Sequence, residues 1–439
     1  MSIADTIQNK TITVEEALAL VKSDSHIVAG MAASEGQLFF SQLHTIADRV
    51  KAVTVNNCLS LADHAFVDEQ YAGSFNVDTW FYSARLRKAH ANGNISFIPN
   101  HLHLVAVKRL AAIKPHIFVG IASRPDKHGY MSLSFGNVYE KRMIEAADIV
   151  ILEISDKFPR TFGDLEVHVD QVNHLIDVDY TPPYLPEVPS NDRDRVIGQL
   201  IAEHINDGDC LQLGIGGIPS AVADFLTDKK DLGIHTEMLS TSLMKLVKCG
   251  AVTNARKTLH PGKTVTTFAL GTQELYDWID DNPSVQVLDG RYVNDPGVIA
   301  QNDNQVSINT TIEIDLVGQC CSESIGHVQF SGTGGQADTA IGAVKAKNGR
   351  SFIALYSTAN VLNKATGERE TVSKIVPMLK PGAIVSLSRN DVDYVVTEYG
   401  LVNLRGTTVR ERVKLLISIA HPDFREELTT NAEAMGYIS

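Results

Sequence analysis

CLQLGIGGIPSAVADFLTDKKDLGIHTEM, from Cys210 to Met238, decides the fold. An apolar strand pattern, CLQL, meets a turn containing Gly214, Gly216 and Gly217 and passes into a helical pattern in which Pro219 suits the first turn. GIHTEM then reads as a second strand. The 23 positions from Gly214 to Glu237 fit a turn, a helix and the next parallel strand. A right-handed crossover of that kind puts the glycine turn and Glu237 on one sheet edge, the carboxyl edge where open α/β sheets bind ligands.

The same rhythm runs outward in both directions. HIVAG at 26–30, AVTVNN at 52–57, ISFIP at 95–99, HIFVGIA at 116–122 and DIVILEIS at 148–155 read as strands buried on both faces, with SQLHTIADRV and VYEKRMIEAA as helices between them. DYTPPYLPEVPSNDRDR, 179–195, interrupts the rhythm with Pro182, Pro183, Pro186 and Pro189, which remove backbone donors and resist helix. Beyond it, strands are expected at TVTTFAL, SVQVLD, HVQFSG, SFIAL, AIVSLS and YVVTEY, and the stretch from Leu404 to Leu428 reads as helical. The fold class is α/β, with two open, mostly parallel sheets in domains 1–190 and 191–439.

The 439 residues, 44% hydrophobic and 21% charged, exceed one ordinary core and match a soluble globular protein. No apolar run reaches the roughly 20 residues of a membrane span, and MSIADTIQNK lacks a signal pattern, so a cytoplasmic location is expected. A net charge of −13 argues against nucleic acid as a partner. Cys58, Cys210, Cys249, Cys320 and Cys321 show no metal-ligand spacing and read as reduced, mostly buried thiols. His101 and His103 would share one face of a strand, yet no third ligand stands at a recognisable spacing, and no metal is expected.

Glu237 has two functional readings. As the acid following a dinucleotide fingerprint it would hold a ribose hydroxyl, but Pro219 stands where the third glycine should allow close helix packing. As a nucleophile it would attack an activated acyl group to give a mixed anhydride, needing no general base because a free glutamate is ionised at neutral pH. That chemistry needs oxyanion donors. FSGTGGQAD, with Gly332, Gly334 and Gly335, and Asn294 in RYVNDPGVI could supply them, although plain turns explain the same residues. Glu398 in YVVTEYG also ends a strand but follows no glycine loop, and reads as a hydrogen-bonded structural acid.

FGNVYEKRMIEAADIVILEISDKFPRTFGD at 135–164, LQLGIGGIPSAVADFL at 211–226, LGIHTEMLS at 232–240, CSESIGHVQFSGTGGQAD at 321–338 and the segment 388–428 resemble the acetyl-CoA hydrolase/transferase family of CoA-transferases, nearest its 4-hydroxybutyrate and butyrate:acetate branch. The resemblance implies two Rossmann-like domains of the CoA-transferase fold with the site between them, and Glu237 as covalent nucleophile in a ping-pong cycle through a glutamyl-CoA thioester. It places Gly214, Ile215, Gly216, Gly217 and Ile218 in a CoA-contacting loop, Gly335 against the thioester, Ser331 where a related branch has a CoA-contacting Asn, and Asn294 at an oxyanion position. Acyl-CoA and short-chain carboxylates are the implied substrates, with no tightly bound cofactor and a homodimer or larger homo-oligomer. NHLHLV at 100–105 departs from a Ser-Glu-containing segment of many relatives, and GMAASEGQLFF lacks a proline usual after the acid. An acyl-CoA hydrolase and a non-catalytic acyl-CoA sensor remain alternatives.

Overall fold

The computed structural model describes residues 2–363 and 366–439. Seven strands build the first sheet: β1 His26–Ala29, β2 Val53–Asn57, β3 Phe75–Thr79, β4 Ile95–Phe97, β5 Ile117–Ser123, β6 Ile149–Ser155 and β7 His174–Asp177. They lie in the order β4-β3-β2-β1-β5-β6-β7, every pair parallel. The order reverses beside β1, where Ile27 faces Val55 on one side and Ile117 on the other. All seven residues of β5 are buried, which explains its unbroken apolar run.

The second sheet contains β8 Cys210–Leu213, β9 Gly233–Ile234, β10 Gln305–Thr310, β11 Arg350–Ala354, β12 Tyr394–Thr397 and β13 Gly400–Asn403, ordered β9-β8-β10-β11-β12-β13. Only the β12–β13 pair within it is antiparallel. Its order reverses beside β8, so each sheet has a crevice at its carboxyl edge. One apolar cluster runs from Ile27 and Val119 through Met238 and Phe268 to Leu211 and Ile308, joining the two sheets in a common interior. Residues 178–191 cross between them without a regular element, and α1, Asp192–Ala202, follows.

The glycine turn forms as expected. Gly216 has φ +117°, a conformation that side chains resist, and α2, Gly217–Asp224, starts directly after it. Helix α1 packs closely on α2, since a Cβ on Gly198 would lie 2.9 Å from the Ala221 backbone.

Several expected elements differ. GIHTEM is not one strand: β9 ends at Ile234, His235 bridges Val265, and Met238–Leu239 pairs with Phe268–Ala269 outside the main sheet. AIVSLS forms no strand; the Ile384 amide is satisfied by Ser324 Oγ at 2.9 Å, and Ile384 and Val385 are exposed. Pro422, lacking an N–H, divides the C-terminal helical stretch into Val409–Ser418, a 3-10 turn Pro422–Phe424 and Arg425–Ala434. SQLHTIADRV holds the end of the helix Gln37–Gln42 and a 3-10 turn, Leu43–Ile46.

Candidate active site

The carboxyl edges of the two sheets face each other across one cavity. Met31, Cys58 and Trp80, just past β1, β2 and β3, form one wall, and Gly214, Thr310 and Gly335 stand opposite. Leu59 in the first wall has φ +52°, backbone strain of the kind that clusters at functional sites. Glu237 opens into this cavity.

Glu237 is fixed through its backbone. Its carbonyl accepts hydrogen bonds from Thr267 N at 3.0 Å, Phe268 N at 3.2 Å and Thr266 Oγ1 at 2.9 Å. The preceding departure from β9 is held by buried Lys257, whose Nζ donates to the Ile234 carbonyl at 2.7 Å and the Lys263 carbonyl at 2.6 Å. Burial pushes the Lys257 ammonium down to about 8. His235 is buried, and its imidazole is pushed down to about 3 by burial and then by the Lys257 charge, so it is neutral. Its Nε2–H donates to the Val293 carbonyl at 2.9 Å, which anchors the residue before Asn294.

Asn294 is fully buried and donates from Nδ2 to Glu237 Oε2 at 2.6 Å. Gly335 packs against the same two atoms: a Cβ there would lie 1.6 Å from Glu237 Oε2 and 2.2 Å from Asn294 Nδ2. A side chain at 335 would displace the Glu237 carboxylate from Asn294. The loop carrying Gly335 is tied to the first sheet, since the Ser331 carbonyl accepts from Tyr82 N at 3.1 Å and the Gly334 carbonyl from Leu102 N at 3.1 Å.

Burial pushes the Glu237 carboxyl up to about 7; the Asn294 bond opposes this and the charge of Asp338 adds to it. The expectation of an already ionised nucleophile is therefore corrected: near neutrality this carboxyl is divided between its two forms. Burial, reinforced by the charges of Glu140 and Glu237, drives the Cys58 thiol well above its usual range, so it is a poor nucleophile beside the site. Four of the five cysteines are buried, Cys249 being the exception.

The structure brings Glu237, Asn294 and Gly335 into direct contact and sets Gly214, Ile215 and Ser331 around the same cavity. Gly216 lies on a second cavity across the glycine loop, which shares Gly214 and Ile215 with the first. Gly217 and Ile218 line neither cavity; a Cβ on Gly217 would meet Asp194, and Ile218 belongs to the core. Glu398 is elsewhere, accepting from Ser357 N and Ser357 Oγ, both at 2.9 Å.

His101 and His103 flank no strand: Leu102–Leu104 is a 3-10 turn, and His103 bonds Asp338. Among the described residues no group of three or more His, Cys, Asp or Glu could hold a metal. Sequence reasoning missed the wall of Met31, Cys58 and Trp80, and missed Asp338. The signal was positional, since each wall residue stands within two positions of a strand's carboxyl end.

Comparison with known proteins adds an independent line. The acetyl-CoA hydrolase/transferase N-terminal domain matches residues 4–186 and the corresponding C-terminal domain matches 271–432. A succinyl-CoA:cyclohexane-1-carboxylate CoA transferase of Geobacter metallireducens is 43% identical over 98% of this chain and 97% of its own. A 4-hydroxybutyrate coenzyme A transferase of Clostridium kluyveri is 40% identical over 96% of each chain. The crystal structure of RipA from Yersinia pestis superposes with a TM-score of 0.93 at 36% identity, covering 100% of both chains.

Proposed function

From the premise that this chain belongs to the acetyl-CoA hydrolase/transferase family and is an enzyme of the CoA-transferase type, we propose that it moves CoA between short-chain carboxylic acids of the butyrate and 4-hydroxybutyrate kind, through a thioester on Glu237. The observation that carries this reading is the contact of Glu237 Oε2 with Asn294 Nδ2 at 2.6 Å, inside a cavity edged by both glycine loops.

In this cycle the ionised Glu237 attacks the acyl carbon of the donor, the C–S bond breaks, and CoA leaves as thiolate. The thiolate then attacks Glu237 Cδ of the mixed anhydride, expelling the first carboxylate and leaving glutamyl-CoA. An acceptor carboxylate attacks that thioester, and the freed thiolate takes the new acyl group from the second anhydride, restoring Glu237. When Cδ is the centre under attack, negative charge grows on the glutamyl oxygen, where Asn294 already donates; backbone N–H groups of the Gly335 loop are suited to share it. The carboxyl near 7 favours this exchange, because a weakly basic carboxylate would be a poor attacking group and a strongly basic one a poor leaving group.

Coenzyme A is a substrate here, with no tightly bound cofactor. Gly214, Ile215 and Ser331, with Gly216 on the adjoining cavity, are assigned to its binding, and the chain divides functionally into 1–190 and 191–439. We place the enzyme in the cytoplasm as a homodimer or larger homo-oligomer; exposed Ile325, Val328, Ile384 and Val385, on segments joined by the Ser324–Ile384 hydrogen bond, offer a self-association surface.

The rival reading is hydrolysis, with water resolving the intermediate. Thiol release from acyl-CoA, measured with and without added acetate or butyrate, separates the two. Transfer predicts acyl exchange that depends on the acceptor, and thiol release at the same rate without any acceptor contradicts it. A non-catalytic sensor would show neither.

A further inference from the structure

A titratable contact, His103 with Asp338, joins the first half of the chain to the catalytic side of the second. Residues 101–103 are fastened onto the second glycine loop and α3, Gln336–Lys345. Leu102 N donates to the Gly334 carbonyl at 3.1 Å. His103 donates to Asp338 twice, from its backbone N to Oδ2 at 3.2 Å and from Nδ1 to Oδ1 at 2.8 Å. The side chain of Asp338 is 2% exposed and that of His103 15%, so both charges are largely out of water.

Asp338 follows Gly335 by three residues, at the start of α3, which puts both on one helix face. Gly335 is the residue in contact with Glu237 Oε2, so Asp338 stands one helical turn behind the nucleophile, with its negative charge turned against the ionisation of Glu237.

We propose that His103 is a positioning residue for the reaction: held on Asp338 as an imidazolium, it offsets that carboxylate's field at Glu237 and keeps the nucleophile available in its ionised form. The proposal rests on the assignment of Glu237 as nucleophile. A neutral group tying the same two segments together would hold the loop but leave Asp338 uncompensated. Burial alone would favour neutral imidazole, but the bond to Asp338 and its charge outweigh it and raise His103 above its usual range. Among the described residues the pair is also faced by Asp295, which favours the imidazolium, by Lys108, which opposes it, and by the His101 ring, whose Nδ1 lies 3.8 Å from Asp338 Oδ1. Around Glu237 itself stand Asn294, Asp338 and the Cys58 thiol.

The test is the pH dependence of kcat/KM for the acyl-CoA donor. The acid limb reports ionisation of Glu237 in the free enzyme. His103→Gln keeps a donor toward Asp338 and removes the charge, so the limb should move upward by about 0.5 to 1 pH unit. His103→Lys keeps a cation and should return it toward the wild-type position. In the Asp338→Asn background, His103→Gln should move the limb by less than about 0.2 unit, since the part-buried imidazole, without its carboxylate partner, is no longer held charged.

A limb that stays in place in His103→Gln, or that moves equally with and without Asp338, overturns the proposal. If Asp338→Asn does not fold, the Gln and Lys variants alone decide it, because a purely structural tie would not distinguish them by charge. Glu237→Gln with full turnover would remove the nucleophile assignment and this inference with it, an outcome distinct from an unmoved limb in His103→Gln.

Discussion

Gly335→Ala should cripple turnover while leaving the protein folded. Gly335 has φ −105° and ψ 11°, a conformation open to alanine, and it precedes α3 without a side-chain role, so backbone strain is not expected. The new methyl would be placed 1.6 Å from Glu237 Oε2 and 2.2 Å from Asn294 Nδ2, far inside van der Waals contact. The Glu237 carbonyl is pinned by three hydrogen bonds, so the backbone cannot retreat and the carboxylate must swing away from Asn294. Losing that charge-assisted bond costs roughly 1.5 to 3 kcal/mol, and displacing an attacking atom by about 1 Å costs on the order of 100-fold.

Together these give a fall in kcat/KM of about 10³-fold or more. The assay is formation of butyryl-CoA from acetyl-CoA and butyrate, with the thermal midpoint measured on the same samples. A variant that keeps more than about a third of wild-type kcat/KM would show that the nucleophile does not work from the position beside Gly335, and the site geometry would have to be abandoned.

Asn294→Ala removes the donor that favours the ionised carboxyl, so the acid limb of kcat/KM should rise by about 1 to 2 units from near 7, giving roughly 5- to 50-fold lower activity at neutral pH and partial recovery in alkali. Glu237→Gln should be inactive yet more stable in alkali. The folded-state value of about 7 lies above the ordinary 4.5, so the native protein holds this proton more tightly; stability is greatest below pH 4.5 and falls as pH rises through 7. Removing the acid should recover at most about 3 kcal/mol at pH 8 and almost nothing near pH 4.5, readable as a pH-dependent shift in urea midpoint. Glu398→Gln should lower the thermal midpoint by loosening Ser357, while kcat stays within about threefold of wild type.

Much of this was legible in the sequence because it is carried by local patterns. Both-face-buried strands such as HIFVGIA write themselves as apolar runs, and a positive-φ turn such as that at Gly216 writes itself as glycine. Strand β3, FNVDT, was missed because alternate positions are only part-buried and the pattern is short. AIVSLS misled because β-branched residues can lie on a surface, and the break in GIHTEM was hidden because Lys257, which clamps it, is 23 residues from the carbonyl it binds.

At the site, Glu237 could be singled out by its crossover spacing, and Asn294 and Gly335 by resemblance. Their mutual contact is a product of tertiary folding, as are the raised carboxyl and the link from Asp338 to His103 across 235 residues. No window of sequence contains the desolvation that sets a pKa.

The most direct measurement of the central claim is the mass of the intact protein after incubation with acyl-CoA alone, followed by borohydride reduction and peptide mapping. A covalent glutamyl-CoA on the peptide containing Glu237, converted by reduction to the corresponding alcohol and discharged when a carboxylate is added first, is the predicted result. A mark on Glu398 or Cys210 instead, or full acyl exchange with no mark at all, would contradict it.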